Sequence, residues 1–287
     1  MNLPDPVVDV SGAVEVAADV LVIPNRDVGL VPNVGVVLGR DAVLVVDTGL
    51  GVANASEVLA FALEVAAGRR VHLTTTHFHP EHAFGASVFP SYVVNRAQAA
   101  DLSRKGAGYL EMFRGFGGFV ADRLADVSVP VPDVVFDGVC ELDLGGRAVV
   151  LRPTGRGHTL GDQVIEVPDA GVLFTGDLAE TGQFAIFPWF PPHDTDVSGV
   201  EWISVMDRLI AGSPRVVVPG HGSVGDLAVL QGVRDYLREL RDETWRRRSA
   251  MALDEVVAEV RAVLIERYPE WAGREWIERG VGCLCAE

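Results

Sequence analysis

This sequence predicts an α/β fold in which two layers of β-sheet are covered by helices, and three observations carry that expectation. Short, valine-rich apolar runs, too short to be helices, recur in both halves of the chain. In each half they are followed by a segment whose apolar residues return every three to four positions, and then by a further apolar run. Histidines and acids stand just after several of these runs, where α/β architectures place ligands.

Taken in order, "ADVLVIPN", "NVGVVLGR" and "DAVLVVDTG" read as strands of a meander, with "LGRDA" as a hairpin turn. In "ANASEVLAFALEVAAG" the period changes: Val58, Leu59, Ala62, Val65 and Ala66 share one helical stripe. Ser56 is the expected cap of that helix and Gly68 its expected end. The strand "RVHLTTT" then runs directly into "THFHPEHAFGA". Residues 94–126 read as helical, a lid or outer layer interrupted at Gly-rich "FRGFGGF". From about residue 130, "CELDLGG", "AVVLRPTG", "DQVIEVP" and "GVLFTGDL" read as strands, "SGVEWISVMDRLIAG" as a helix and "RVVVPGHG" as a strand. Residues 226–287 are mostly helical and amphipathic and are expected to pack on the rest as an extension. No linker-like stretch divides the halves, so one domain over 1–287 is expected.

Composition narrows the function classes. A chain of 287 residues with 48% hydrophobic and 22% charged residues has the balance of a globular protein. Its 40 acids against 24 bases give a net charge of −16, which repels phosphate backbones and argues against nucleic acid as a partner. Lys105 is the only lysine; every other base is arginine. The first residues, "MNLPDPVVDVSGAVEV", lack the features of a signal peptide, and no run of ~18 apolar residues suits a membrane span. Three cysteines, Cys140, Cys283 and Cys285, are too few for a disulfide framework and fit a reducing cytoplasm. The C-x-C pair near the end reads as part of a docked or frayed tail; such pairs can bind metal or be redox active, but this one has no further ligands beside it.

Seven histidines carry the chemistry: His72, His77, His79, His82, His158, His193 and His221. In an extended segment residues two apart point the same way, so His77 and His79 can bind one ion. Pro80 disfavours helix at His79 but suits the first position of a helix, which would put Glu81 and His82 in its first turn, displaced toward a second point. His158 in "GRGHTLGD" and His221 in "VVVPGHG" occupy strand-to-loop positions, where side chains from distant parts of the sequence can converge. Imidazole with carboxylate is the ligand set of zinc-like metals.

With these residues in view the chain resembles the metallo-β-lactamase-fold hydrolase superfamily, whose members share five sequence blocks in fixed order. The blocks are Asp47 in "VVDTG", the cluster His77, His79, Glu81 and His82, His158 in "GHTLGD", Asp177 in "LFTGDL" and His221 in "PGHG". The resemblance implies a four-layer αβ/βα sandwich of two mixed sheets packed face to face with helices outside. It also implies two divalent ions, zinc first, with iron and manganese as alternatives. His77, His79 and His158 would hold one ion; Glu81, His82 and His221 would hold the other; Asp177 would bridge both. Asp47 would orient a ligand histidine or the cluster loop. The implied reaction is hydrolysis by a metal-bound hydroxide, with Asp177, Glu81 and His193 as candidate catalytic groups.

The aromatic run Phe184, Phe187, Trp189 and Phe190, in "GQFAIFPWFPPHDTD", either packs onto the body of the protein, as such loops usually do, or walls an apolar substrate site beside the metals, and the four are the substrate-binding candidates. The expected substrate is therefore a small, partly hydrophobic lactone, ester, thioester or amide. Asp177 in the G-D position favours thioesterases and lactonases over true β-lactamases, and the 43 residues between Asp177 and His221 are too few for the inserted domain of nuclease members. A mononuclear-iron sulfur dioxygenase, or a binding protein that has lost turnover, are the competing readings. A homodimer is left open. The departure from the family pattern is Glu81, which stands where the family has aspartate; its extra methylene moves the carboxylate by roughly 1.5 Å.

Overall fold

Twelve strands and eight α-helices alternate along the chain in the computed structural model, which describes residues 4–287. β1 (Val14–Ala17), β2 (Val20–Ile23), β3 (Val34–Leu38) and β4 (Ala42–Val46) form an antiparallel meander with the turn at "LGRDA". α1 (Gly51–Ala66) crosses to β5 (Arg70–Thr74), which lies parallel to β4. The short α2 (Pro80–Ala83) and then β6 (Tyr92–Asn95), α3 (Arg96–Arg114), α4 (Gly118–Arg123) and β7 (Val134–Phe136) complete a seven-stranded mixed sheet in the order 1-2-3-4-5-6-7. β8 (Cys140–Asp143), β9 (Ala148–Pro153), β10 (Gln163–Val167) and β11 (Val172–Glu180) are antiparallel neighbours. α5 (Gly199–Ala211) then crosses to β12 (Val216–His221), parallel to β11, giving a five-stranded sheet in the order 12-11-10-9-8. α6 (Leu227–Arg247), α7 (Leu253–Arg267) and α8 (Trp276–Ala286) follow.

The period-two pattern explains why these runs are strands buried on both faces. In β4, Val43 and Val45 join the core under α1 and α3, while Leu44 and Val46 face the other sheet. There they meet Val149, Leu151, Ile165, Val167, Phe174 and Val218 of the five-stranded sheet. The approach is close enough that a Cβ on Gly35 would lie 2.4 Å from the Phe174 ring, so only glycine fits at that point of β3. The outer face of the second sheet is covered by α5 to α8: Trp202, Met206, Leu237, Leu240, Val260, Leu264, Val281 and Leu284 share one core. The layers are thus helix, sheet, sheet, helix. Among the described residues, no helix is long and apolar enough to cross a membrane.

Two local expectations are corrected. Ser56 does not cap α1: the helix starts at Gly51 behind Leu50, and the Ser56 hydroxyl donates to the Val52 carbonyl inside the helix. Helix also does not begin at residue 94, because β6 runs through Asn95, whose side chain accepts from the Gln98 amide and caps α3. The glycine-rich stretch does break the helix, between Arg114 and Gly118.

Candidate metal centre

Six chain segments from both sheets and the loops after their strands converge on one point. β4 delivers Asp47, the segment after β5 delivers His77 and His79, and α2 delivers Glu81 and His82, with Pro80 in its first turn and extended His79 as its N-cap. The loop between β9 and β10 delivers His158, β11 delivers Asp177, and the end of β12 delivers His221. Asp47 adopts a positive φ of 68°, an uncommon conformation for a non-glycine residue, of the kind that concentrates at functional sites. Its carboxylate accepts from the Thr76 amide at 2.7 Å and meets His82 Nδ1 at 2.9 Å, so it sets both the cluster loop and a ring.

The donors sort into two groups, each with its ligand atoms within 4.8 Å of one another. One is His77, His79, His158 and Asp177; the other is Glu81, His82, Asp177 and His221. Asp177 divides its oxygens between them. Oδ2 lies 3.7 Å from His77 Nε2 and 4.0 Å from His158 Nε2, whereas Oδ1 lies 3.3 Å from His82 Nε2 and 3.6 Å from His221 Nε2. A Cβ on Gly220 would lie 1.9 Å from Asp177 Oδ1, so the glycine of "PGHG" is required by the close approach of that carboxylate.

Whether these residues fit metal ions can be tested on the atoms themselves. The Nε2 atoms of all five histidines, Glu81 Oε2 and both Asp177 oxygens are buried and have no hydrogen-bond partner among the described residues. Buried polar atoms are rarely left in that state, and so many converging at two points match the donor sets of divalent cations. Without cations the electrostatics are unfavourable. Burial and neighbouring imidazoles hold His77 and His79 well below the usual imidazole range. Burial likewise pushes Glu81 up to about 7. His82 is raised despite burial, because Asp177 and Asp47 flank it. Asp177 is held well down despite burial, because His82, His221 and His77 surround it.

The aromatic wall is a correction. Phe184 and Phe187 are fully buried, Phe184 among Tyr236, Tyr268 and Trp271 and Phe187 against Trp202, so both serve the helical core. They cannot touch a substrate because α6–α8, whose packing was not visible in the local pattern, cover them. Trp189 and Phe190 are half-buried, Trp189 against α8 and Phe190 under the Arg279 guanidinium. His193 is exposed at the tip of the Phe190–Asp194 turn and belongs to neither donor group.

Other residues at the site carried no sequence signal that singled them out. Asn33 donates to the Pro219 and Gly222 carbonyls and pins the loop that carries His221. Gln163 donates to Thr74 and Thr75 and joins the two sheets beneath the cluster. Glu180 is buried with one oxygen accepting from the Ile186 amide and the other unpartnered; burial and Asp177 raise its carboxyl well above the usual range. Asp162, in "GHTLGD", accepts from the Thr159 amide and hydroxyl through its carboxylate and shapes the His158 loop.

The model of the metallo-beta-lactamase superfamily matches residues 27–221, which contain every donor of both groups. The chain is 26% identical over 208 residues to "Acyl-coenzyme A thioesterase MBLAC2" of Homo sapiens, covering 66% of this chain and 72% of that protein. It is 23% identical over 223 residues to "Metallo-beta-lactamase type 2" of Bacteroides fragilis, covering 75% and 79%. Among solved structures, "Metallo-beta-lactamase from Pontibacter korlensis" superimposes with a TM-score of 0.62 at 20% identity, over 79% of this chain and 98% of that one. The DIM-1 metallo-beta-lactamase does so with a TM-score of 0.60 at 16% identity, over 79% and 96%.

Proposed function

The chain belongs to the metallo-β-lactamase superfamily of hydrolases, and from that premise we propose that it cleaves a small, partly hydrophobic acyl compound, thioesters before lactones, esters and amides. The observation that carries this reading is the pair of buried, unpartnered donor groups that share Asp177. His77, His79, His158 and Asp177 would hold one divalent cation, and Glu81, His82, His221 and Asp177 a second, zinc being the first choice for this nitrogen-rich set. Such a pair supplies Lewis acidity toward a carbonyl oxygen and lowers the pKa of water to near neutrality.

The chain's own groups supply the rest. Asp177 links the two groups and keeps its carboxylate ionised between four imidazoles. Asp47 holds the His82 ring through Nδ1 and leaves Nε2 facing inward. Trp189 and Phe190 are the two aromatic candidates with surface left to offer an apolar substrate. Asp177 and Glu81 are the buried candidates for moving a proton to the leaving group, and His193 is the exposed one. The thioester preference is supported by the relatives described as acyl-coenzyme A thioesterases and by the family resemblance at Asp177. Two complete donor groups weigh against the one-iron oxygenase reading, which needs a weak second site. All three cysteines are free, which supports a reducing compartment, and the core shared by α5–α8 supports a single domain.

Zinc per chain, measured by plasma emission, together with turnover of a short S-acyl thioester, a lactone and a β-lactam, tests this. The expected result is near two zinc, thioester turnover, and its loss in His77→Ala and Asp177→Ala. Turnover that survives Asp177→Ala, or a β-lactam preferred over the thioester, would sink it. His193→Ala separates the proton-transfer candidates: a fall in turnover well beyond ~2-fold assigns the proton to His193, and a smaller change leaves it to Asp177 or Glu81.

A further inference from the structure

Most of the inward-facing rings are anchored from behind, as metal-binding imidazoles usually are. His77 Nδ1 meets Thr76 Oγ1 at 3.1 Å, His82 Nδ1 meets Asp47 at 2.9 Å, and His221 Nδ1 donates to the Val31 carbonyl at 2.9 Å. His158 Nδ1 has no hydrogen-bond partner among the described residues; Asp162 stands 3.7 Å away, too far for one, and the ring packs against Trp202 with 5.7 Å between centroids. His79 likewise has no such anchor among the described residues. Its ring is instead covered by Tyr109, stacked with 4.9 Å between centroids and 24° between planes.

Tyr109 is itself held on two sides. Its ring lies edge-on to Phe78 at 4.9 Å, and its hydroxyl donates to Asp194 Oδ2 at 2.7 Å. The other Asp194 oxygen accepts from the Lys105 ammonium at 2.9 Å. That ammonium also reaches Asp196 at 2.7 Å and Asp101 at 3.8 Å, and stands 5.4 Å from the centre of the Phe78 ring. Lys105 and Tyr109 are four residues apart on α3, so both project from one face of that helix. Three carboxylates around one ammonium satisfy a charge that would otherwise be costly to bury. A compact ammonium can serve three separate partners, whereas a planar guanidinium favours one bidentate pair. Every other base in the chain is arginine, and the single lysine sits where that difference matters.

We propose that Tyr109 is the positioning residue for His79, that Asp194 and Lys105 fix the Tyr109 ring, and that this unit sets the affinity of the first metal group without contacting the ion. The proposal rests on the reading of His77, His79, His158 and Asp177 as a metal site. Tyr109 has no counterpart role at the second group, whose histidines are anchored by Asp47 and by the Val31 carbonyl.

The test is Zn²⁺ affinity by competition with a chromophoric chelator, in two single-site backgrounds. His221→Ala keeps the first group complete, and His158→Ala keeps the second. In the His221→Ala background, Tyr109→Leu is expected to weaken Zn²⁺ by ~10–100-fold, and Tyr109→Phe and Lys105→Met by ~3–10-fold. In the His158→Ala background the same changes should stay within ~2-fold. Lys105→Arg should fall with Lys105→Met, because the guanidinium cannot replace the three-way pairing. Equal losses in both backgrounds would mean that Tyr109 only supports folding, and no loss in either would mean that His79 needs no support; both overturn the proposal. A wild-type chain that binds no Zn²⁺ would instead overturn the metal reading beneath it. Tyr109→Phe keeps the packed ring, so its result stands even where Tyr109→Leu fails to fold.

Discussion

The His77–His79–His158 side of the centre is uncharged apart from the shared Asp177, whereas the His82–His221 side adds Glu81. The supports differ as well. Asp47 and a backbone carbonyl hold both second-side rings by hydrogen bonds, whereas on the first side Thr76 holds His77 and the other two rings lean on packed neighbours: Tyr109 on His79, and Trp202 with ring centroids 5.7 Å from His158. A hydrogen bond fixes a ring's tautomer as well as its direction, whereas packing fixes direction alone. On the proposed two-ion reading the second side would hold its cation through an added carboxylate and fixed tautomers, and the first through three imidazoles, two of them held in place by packing. Glu81 sits in the first turn of a four-residue helix, where a carboxylate oxygen of this longer acid lies within 4.8 Å of the donor atoms of His82, Asp177 and His221.

The largest break in this comparison is expected from Asp177→Asn, which weakens both sides together. Zinc per chain by plasma emission should fall from near two to below one, and turnover should fall below detection. Two zinc retained would show that Asp177 does not link the groups. Glu81→Gln separates the sides: the second ion should weaken by ~10–100-fold with the first unchanged, read by chelator competition. Glu81→Asp sharpens the point, since unchanged second-site affinity would make the glutamate's length incidental. Asp47→Asn should weaken the second ion by ~10-fold through the His82 ring and the first by less, through Thr76 and the cluster loop. Equal losses at both ions would make the cluster loop, and not the His82 ring, the main target of Asp47.

The smallest expected effect lies on the first side, in the carboxylates that hold Lys105. Burial raises Asp101 to about 6, although Lys105 and Arg104 pull it down and Asp196 and Asp162 push it up. A carboxyl raised in the folded state binds its proton more tightly there than in the unfolded chain. Its contribution to stability is thus full at low pH and lost as pH rises through about 6. Asp101→Asn mimics the neutral form, so the melting temperature of the variant relative to wild type should rise between pH 4.5 and 7.5. The gain expected is ~1–3 kcal/mol, or a few degrees. A difference that stays flat across that range would show that Lys105 fully compensates the buried charge.

How much of this was legible depended on the range of the interaction. The strands of the meander, the break after Arg114 and Pro80 at the start of α2 follow from local periodicity and backbone chemistry, which act over a few residues. The donors were legible because metal-binding residue types in strand-to-loop positions are unusual whatever surrounds them. For Phe184 and Phe187 the sequence left core and pocket wall both open, because an aromatic run has the same local pattern in either, and α6–α8 decide for the core. Ser56 had the right chemistry for a cap but lay a turn inside the helix, because α1 begins as soon as the chain leaves Asp47. Asn33, Gln163 and Tyr109 are ordinary residues by type and act only through partners far along the chain.

The sequence by itself determined the fold class and nominated the donors, since both are written in residue type and short-range spacing. Only the tertiary structure decided that Asp177 faces one oxygen to each group, that Glu81 reaches the second of them, and that the single lysine braces the ring behind His79. Those outcomes depend on distances between segments that are remote in the chain. Two close-packed sheets set such distances, and no local pattern encodes them.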